Sequence, residues 1–332
     1  MADGRRRVGR GGWAAALVLA GAVAALASGC SIAGDASGAH REPAPLRPIA
    51  GLADRPLRVT TTTNFITDLA RQIGGDRVEV TGLLGPGVDP HLYKASAGDV
   101  RRIARADLVL YGGLHLEGKM AELFEEIAER QPALAVTVDF PREELLAIPG
   151  TTDEVDPHVW FDVALWQRAA RTVAEAYQAL DPANAAYYRE RLDAYARELA
   201  ATDDAIRGLV AEVPEASRIL VTSHDAFHYF GRRYGFQVEG IQGVSTATQA
   251  TTADIDRIAR LLVERRVKAV FVESSVPRQT IEAVLAAAAS RGWQVRVGGE
   301  LFADSAGSPG TPEETYVGMV RANADTIVEA LR

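Results

Sequence analysis

Cysteine, positive charge and the motifs of nucleotide-binding enzymes are scarce or missing in this chain of 332 residues. Cys30 is the only cysteine, so no disulfide can form within the chain. Acidic side chains outnumber basic ones and give a formal charge of −8, which argues against a nucleic-acid partner. Neither a glycine-rich phosphate loop nor a nucleophile elbow occurs, so we expect no enzyme and no hydrolysis of ATP by this chain.

The most apolar run of the sequence occupies residues 13–28, and four arginines precede it within residues 5–10. A basic segment, an apolar segment and a closing "ASGC" are typical of an export signal over residues 1–29, too short to span a membrane readily. Cys30 stands where a bacterial lipoprotein signal is cleaved and lipidated, although Ala27 occupies a position where Leu is commoner. We predict that Cys30 carries a lipid anchor. The alternative is an incidental small residue near a cleavage site. Cleavage would change the formal charge from −8 to −11, because it removes four arginines and one aspartate.

Residues 30–56 are rich in Ala, Gly, Pro and Ser and show no hydrophobic period. This composition predicts a flexible tether, in which His40 is a solvated linker residue. The remaining residues are enough for one large domain or two ordinary ones.

Short β-branched runs alternate with helical periods along the rest of the chain, which indicates βαβ units and mostly parallel sheets. We therefore predict an α/β fold with two lobes, an N-terminal lobe over residues 57–180 and a C-terminal lobe over residues 217–332. The predicted strands are 57–63, 77–84, 107–113 and 134–139 in the first lobe, and 218–223, 236–244, 268–275 and 293–301 in the second.

Residues 181–216 separate the two series and keep apolar side chains at helical spacing, with a gap at Asp203. Asp181 or Asn184 can cap the start of such a helix, and Pro214 ends it. We predict one long, rigid helix of roughly 45 Å that joins the lobes. A surface helix of a single domain is the alternative.

The tetrapeptide Val-Asp-Pro-His occurs twice, at 88–91 and 155–158, in a chain with only six histidines. Proline fixes its own φ and offers no N–H, so each following histidine is expected on a stiff loop with its direction set in advance. His91 follows the predicted strand 77–84, and His158 lies in a later loop of the same lobe. Both are placed to hold a ligand.

Two further residues of suitable chemistry follow strands of the second lobe. His224 ends the strand 218–223, and Asp304 follows the strand 293–301. Ligands of open α/β sheets bind beyond the carboxyl ends of strands, so two side chains from each lobe would meet in one cleft. Imidazoles and a carboxylate suit a divalent transition metal. The predicted metal ligands are His91, His158, His224 and Asp304.

Other residues allow more than one interpretation. The histidines of "HDAFH" (224–228) would share a helix face in a zinc-dependent hydrolase, but Asp225 is shorter than the Glu that acts there as general base. His228 is more simply a residue on a helix surface. His115 is interpreted as structural or as a neighbour of the ligands. Glu273 either hydrogen-bonds a ligand histidine or caps the predicted helix 277–291.

From about Leu57 to the C-terminus, the chain resembles the metal-specific (Mn/Zn) substrate-binding lipoproteins of bacterial ABC transporters. The resemblance rests on the segments "GLLGPGVDPHLYKASAGDV", "DPHVWFDVALW", "VTSHDAFHYFGRRYGF", "KAVFVESSV" and "GGELFADSAGSPGTPEETYVGMVRANADTI". It implies two α/β lobes joined by one long helix, with a single Mn²⁺ or Zn²⁺ ion, or Fe²⁺ in some members, held between them. The ligand positions of that family fall on His91, His158, His224 and Asp304, although some members carry Glu at the third position.

The resemblance also implies partners and a location. We expect an exported monomer that is anchored by lipid to the outer face of the bacterial cytoplasmic membrane. Its expected partners are a membrane permease and the cytoplasmic ATPase of that permease. A surface adhesin is the alternative, because members of the family have been called adhesins. Zinc-specific relatives often carry a His-rich loop, whereas residues 139–157 contain none, so the sequence slightly favours manganese over zinc.

Overall fold

The computed structural model describes residues 46–332. The predicted export signal, Cys30 and His40 lie outside these residues. Among the described residues, no helix is both long and apolar enough to cross a membrane.

The N-terminal lobe is built on a four-stranded parallel sheet of strand order β2-β1-β3-β4. Because the order reverses between β1 and β3, the loops that leave the carboxyl ends of the strands diverge there and open a crevice. The strands are β1 (Leu57–Thr61), β2 (Val78–Gly82), β3 (Leu108–Tyr111) and β4 (Ala133–Ala135), and the helices are α1 (Asn64–Gly74), α2 (Ala97–Ile103) and α3 (Ala121–Ala128).

Two strand pairs, both parallel, form the C-terminal lobe. Strand β5 (Ile219–His224) pairs with β6 (Gln237–Gln242), and β7 (Ala269–Glu273) pairs with β8 (Arg296–Leu301), with β5 lying beside β7. The helices of this lobe are α6 (His228–Tyr234), α7 (Thr252–Glu264), α8 (Gln279–Ser290) and α9 (Tyr316–Leu331). The prediction of two α/β lobes with parallel sheets is confirmed.

Two consecutive helices, rather than one, lie between the sheets. Helix α5 (Ala185–Val210) is the predicted long helix, about 39 Å long at 1.5 Å per residue, and it packs against α1 of the first lobe and α9 of the second. Helix α4 (Val163–Leu180) precedes it and was not predicted. Its buried face repeats apolar residues at helical spacing, at Val163, Trp166, Ala170, Val173 and Tyr177. Asp162 supplies the cap by accepting a hydrogen bond from the N–H of Ala164, so the sequence held the signal for this helix.

The gap in the apolar pattern of α5 is a buried carboxylate. Asp203 accepts hydrogen bonds from the guanidinium of Arg233 at 2.6 and 2.8 Å, from the hydroxyl of Tyr234 at 2.9 Å and from Arg207 at 3.2 Å. Arg233 and Tyr234 lie at the end of α6, so Asp203 connects the long helix to the C-terminal lobe. These partners hold the pKa of Asp203 below its usual value although burial acts in the opposite direction.

One continuous set of buried apolar side chains extends from β1 and α1 through α4 and α5 to α9. The lobes therefore share a core, which favours small rather than large movements between them. This core also includes Leu52 and contacts Leu46 and Ile49, and the N–H of Ile49 donates to the carbonyl oxygen of Leu180. The last part of the predicted tether, residues 46–56, is accordingly packed against the fold.

Replacement of Asp203 tests the connection between α5 and α6. Asp203→Ala is expected to lower the free energy of unfolding by about 2–3 kcal/mol, because the buried hydroxyl of Tyr234 loses its acceptor and the guanidinium of Arg233 keeps only Asp162. Urea unfolding followed by circular dichroism measures the change. Asp204→Ala, one position along the same helix but exposed, should change it by less than about 0.5 kcal/mol. Equal losses in the two variants would contradict this role of Asp203.

Candidate metal centre

The structure brings together the four residues predicted as metal ligands, each from a loop or strand end at the carboxyl edge of a sheet. His91 lies between β2 and α2, His158 follows β4, His224 is the last residue of β5, and Asp304 follows β8. His91 is 4% exposed and the other three are 0% exposed. One ligand atom from each residue lies within 4.8 Å of all the others. We call these four residues the buried cluster.

The distances within the buried cluster place His158 at its centre. Its Nε2 atom lies 3.4 Å from Nε2 of His91 and 3.2 Å from Nε2 of His224. The carboxylate of Asp304 faces the same point, with Oδ1 at 3.3 Å from Nε2 of His158 and Oδ2 at 3.4 Å from Nε2 of His224. Three nitrogens and two oxygens thus surround one small volume.

The aspartate of each Val-Asp-Pro-His repeat holds the histidine two residues later. Oδ1 of Asp89 accepts the N–H of His91 at 2.8 Å, and Oδ1 of Asp156 accepts the N–H of His158 at 2.9 Å. Asp156 also binds Nδ1 of the His158 imidazole at 2.7 Å. From the sequence, we attributed the direction of these histidines to the preceding proline alone. The aspartate was available as a signal, since Asp side chains bind the backbone two residues onward in turns.

Glu273 holds His224 through the same two kinds of contact that Asp156 makes with His158. One carboxylate oxygen accepts the N–H of His224 at 3.0 Å, and the other binds Nδ1 of its imidazole at 2.5 Å. Helix α8 begins at Gln279, with Arg278 as its capping residue, so Glu273 does not cap it. Of the two interpretations of Glu273, the structure shows the contact with the histidine.

These contacts determine what the buried cluster can bind. A carboxylate on Nδ1 fixes the proton there, so Nε2 of His158 and of His224 each direct a lone pair toward the other and toward Asp304. Oδ1 of Asp304 is buried and accepts no hydrogen bond. Lone pairs that converge in a buried site of low polarisability repel one another unless a positive charge lies between them. A divalent cation fits this arrangement of donors.

The pKa shifts of the three histidines differ in direction. Burial lowers the pKa of His91 to about 3. Burial acts in the same direction on His158, but the carboxylates around it prevail and raise its pKa. For His224, burial is again outweighed, here by Glu273 and Asp304, and the pKa is raised well above that of free imidazole. In the absence of a metal the buried cluster therefore attracts protons, which an incoming cation has to displace.

Residues 59–330 match the family described as "ZnuA: Zinc-uptake complex component A periplasmic". The chain belongs to this family. It is similar to the manganese-binding lipoprotein MntA of Bacillus subtilis, with 46% identity over 84% of this chain and 91% of that protein. It is also similar to the metal ABC transporter substrate-binding lipoprotein FimA of Streptococcus parasanguinis, with 28% identity over 84% of this chain and 90% of that protein.

Among solved structures, the periplasmic zinc binding protein TroA of Treponema pallidum has the same fold. It superposes with a TM-score of 0.81 at 45% sequence identity, and the match covers 83% of this chain and 99% of that one. The ZnuA-family fold thus accounts for nearly all the residues that the structure describes. Relatives named for manganese and for zinc both occur at this level of identity.

The other two histidines among the described residues of this ZnuA-family chain are not part of the buried cluster. His115 is exposed and lies in a turn after β3 with a φ of 62°. His228 begins α6, its side chain is 40% exposed, and its Nε2 lies 3.3 Å from Asp225. Because His224 belongs to β5, the two histidines of "HDAFH" share no helix face. The hydrolase arrangement considered from the sequence is absent.

Glu273→Gln tests the support of His224. An amide matches the carboxylate in shape but cannot accept hydrogen bonds through both of its terminal atoms, so the imidazole loses its fixed proton position. We expect about 10–100-fold weaker metal binding, measured by competition with a chelating dye. Glu300→Gln, a carboxylate 49% exposed at the end of β8 and paired with Arg278, should leave affinity unchanged. Unaltered affinity in Glu273→Gln would contradict the proposed support.

Metal affinity is expected to fall as pH is lowered from about 8 to about 5, by up to about tenfold per unit for each proton displaced. The sign follows from the raised pKa values of His158 and His224, because a protonated imidazole has no lone pair for the cation. Isothermal titration calorimetry in buffers of different ionisation enthalpy counts the protons released. An affinity that stays constant over this range would contradict these ligands.

Proposed function

We propose that this protein is an extracytoplasmic receptor that binds one divalent transition metal ion between its two lobes and delivers it to an ABC permease. The observation that carries the proposal is the buried cluster, in which His91 and His158 from one lobe and His224 and Asp304 from the other direct their lone pairs to a single point. A buried site that spans two lobes is suited to capture and release. The buried cluster supplies four ligand residues, whereas catalytic zinc sites keep three protein ligands and an open position for water.

Manganese is the metal that we propose, with zinc as the competing ion. Both oxygens of Asp304 face the histidine nitrogens, at 3.3 and 3.4 Å, so the buried cluster offers five donor atoms. Zn²⁺ in proteins usually takes four donors in a tetrahedron, whereas Mn²⁺ accepts more ligands and prefers oxygen. Intrinsic affinity nevertheless follows the order Mn²⁺ below Zn²⁺, so availability of the metals also affects which one is bound. Fe²⁺ is a further candidate of similar chemistry.

We also propose how the receptor is anchored to the membrane and which proteins it works with. Residues 1–29 form the export signal, Cys30 carries the lipid, and residues 30–56 form the tether, whose last part packs against the fold. The lobes divide near the helices α4 and α5. The protein acts as a monomer on the outer face of the cytoplasmic membrane, and its permease partner couples transport to a separate ATPase. Support comes from its family and from the FimA relative, whose name is that of a metal ABC transporter lipoprotein.

Metal content measured by mass spectrometry tests the proposed function. The purified protein is stripped of metal, reloaded with Mn²⁺ and Zn²⁺ in competition, and compared with His91→Ala and Asp304→Ala. We expect one equivalent of metal in the parent and less than about a tenth of that in either variant, because each variant opens a buried site and removes one of its donors.

His115→Ala is the matched control, since it removes an exposed histidine outside the buried cluster. It should retain one equivalent of metal. The parent protein also shows directly which of the two metals is preferred in the mixture. Metal that survives both ligand substitutions, or a parent that binds none, would contradict the proposed function.

A further inference from the structure

The loop that carries Asp304 is held largely by the opposite lobe. The side-chain amide of Asn64, the first residue of α1, donates to the carbonyl oxygen of Ala306 at 2.9 Å and accepts the N–H of Ala306 at 2.8 Å. An amide that binds both polar groups of one residue fixes that backbone in position and orientation.

A second asparagine holds the other end of the same loop in the same manner, but from its own lobe. Asn323 of α9 accepts the N–H of Phe302 at 2.9 Å and donates to the carbonyl oxygen of Phe302 at 2.8 Å. Asp304 lies midway between Phe302 and Ala306. Asp304 therefore lies between two equivalent pairs of hydrogen bonds, one made by an asparagine of each lobe. We call these two pairs the clamps.

Two more contacts from the N-terminal lobe reach this loop. The indole N–H of Trp160 donates to the carbonyl oxygen of Ala303 at 3.1 Å, and the N–H of Gly87 donates to the hydroxyl of Ser305 at 2.9 Å. On the side of the C-terminal lobe, the hydroxyl of Ser275 lies 3.5 Å from Asp304 itself, the length of a weak hydrogen bond. Contacts at Ala303, Ser305 and Ala306 therefore tie the loop to the lobe that supplies His91 and His158.

We propose that Asn64 is a positioning residue for metal retention, which couples the location of Asp304 to the contact between the lobes. The inference rests on the proposed function and deepens it. Asp304 is the only anionic member of the buried cluster, so it is the ligand that places negative charge directly beside a bound cation. When the lobes separate, the two clamps pull the loop in different directions and withdraw this carboxylate from the histidine ligands. Release of metal then begins with the loss of Asp304.

The experiment compares Asn64→Ala with Asn323→Ala, which remove equivalent pairs of hydrogen bonds from the two ends of one loop. Each purified protein is loaded with Mn²⁺ and mixed with excess EDTA in a stopped-flow instrument, and the rate constant of metal loss is measured. Asn64→Ala is expected to lose metal at least about tenfold faster than both the parent and Asn323→Ala. Thermal unfolding of the metal-free proteins should show similar decreases in midpoint for the two variants.

A second pair of variants guards against a protein that fails to fold. Asn64→Asp and Asn323→Asp keep the acceptor but replace the donor by an oxygen that faces a carbonyl oxygen. Asn64→Asp is again expected to release metal faster than its counterpart. Equal release rates within both pairs, with a parent that holds Mn²⁺, would overturn this inference and leave the proposed function intact. A parent that holds no metal would overturn both.

Discussion

Lone pairs that face one another in a buried volume are the constraint on which the rest of this structure depends. Nitrogens of three histidines and the carboxylate of Asp304 approach within 3.2 to 3.4 Å, and all four side chains are shielded from bulk solvent. Such an arrangement is costly unless a cation or protons occupy it. Asp156 and Glu273 maintain it by fixing the protons of two imidazoles on the outward side. The geometry thus makes the protein receptive to a metal.

The fold brings the four side chains of the buried cluster into this arrangement. Parallel strands direct the loops at their carboxyl ends to one edge of each sheet, and the two edges face each other across the cleft. Helix α5 packs against both lobes, and one apolar core continues from the first lobe to the second. Because the lobes share this core, they cannot separate widely without exposing apolar surface. Small displacements at the loop of Asp304 are then the natural means of release.

Local patterns predicted the elements whose character is visible within ten or twenty residues. The alternation of β-branched and helical runs indicated both lobes, and the spacing of apolar residues indicated α5. Helix α4 was missed although its apolar residues keep helical spacing and Asp162 offers a cap, so its signal was present in the sequence. The meaning of Asp203 was missed as well, because a polar residue on an apolar face reads as an interruption until its partners Arg233 and Tyr234 are known.

The sequence by itself determined which residue types the site offers, where the strands end, and that the histidines at 91 and 158 lie on stiff loops. Only the tertiary structure decided which side chains distant in sequence support the ligands, including which of the two interpretations of Glu273 holds. Glu273 meets His224 across 49 residues, and Asn64 meets Ala306 across 242 residues. Local spacing carries no signal for such pairs, because their approach depends on how the sheets are stacked and how the loops are closed. The physical reason is that chain folding, rather than helical or strand period, brings these groups together.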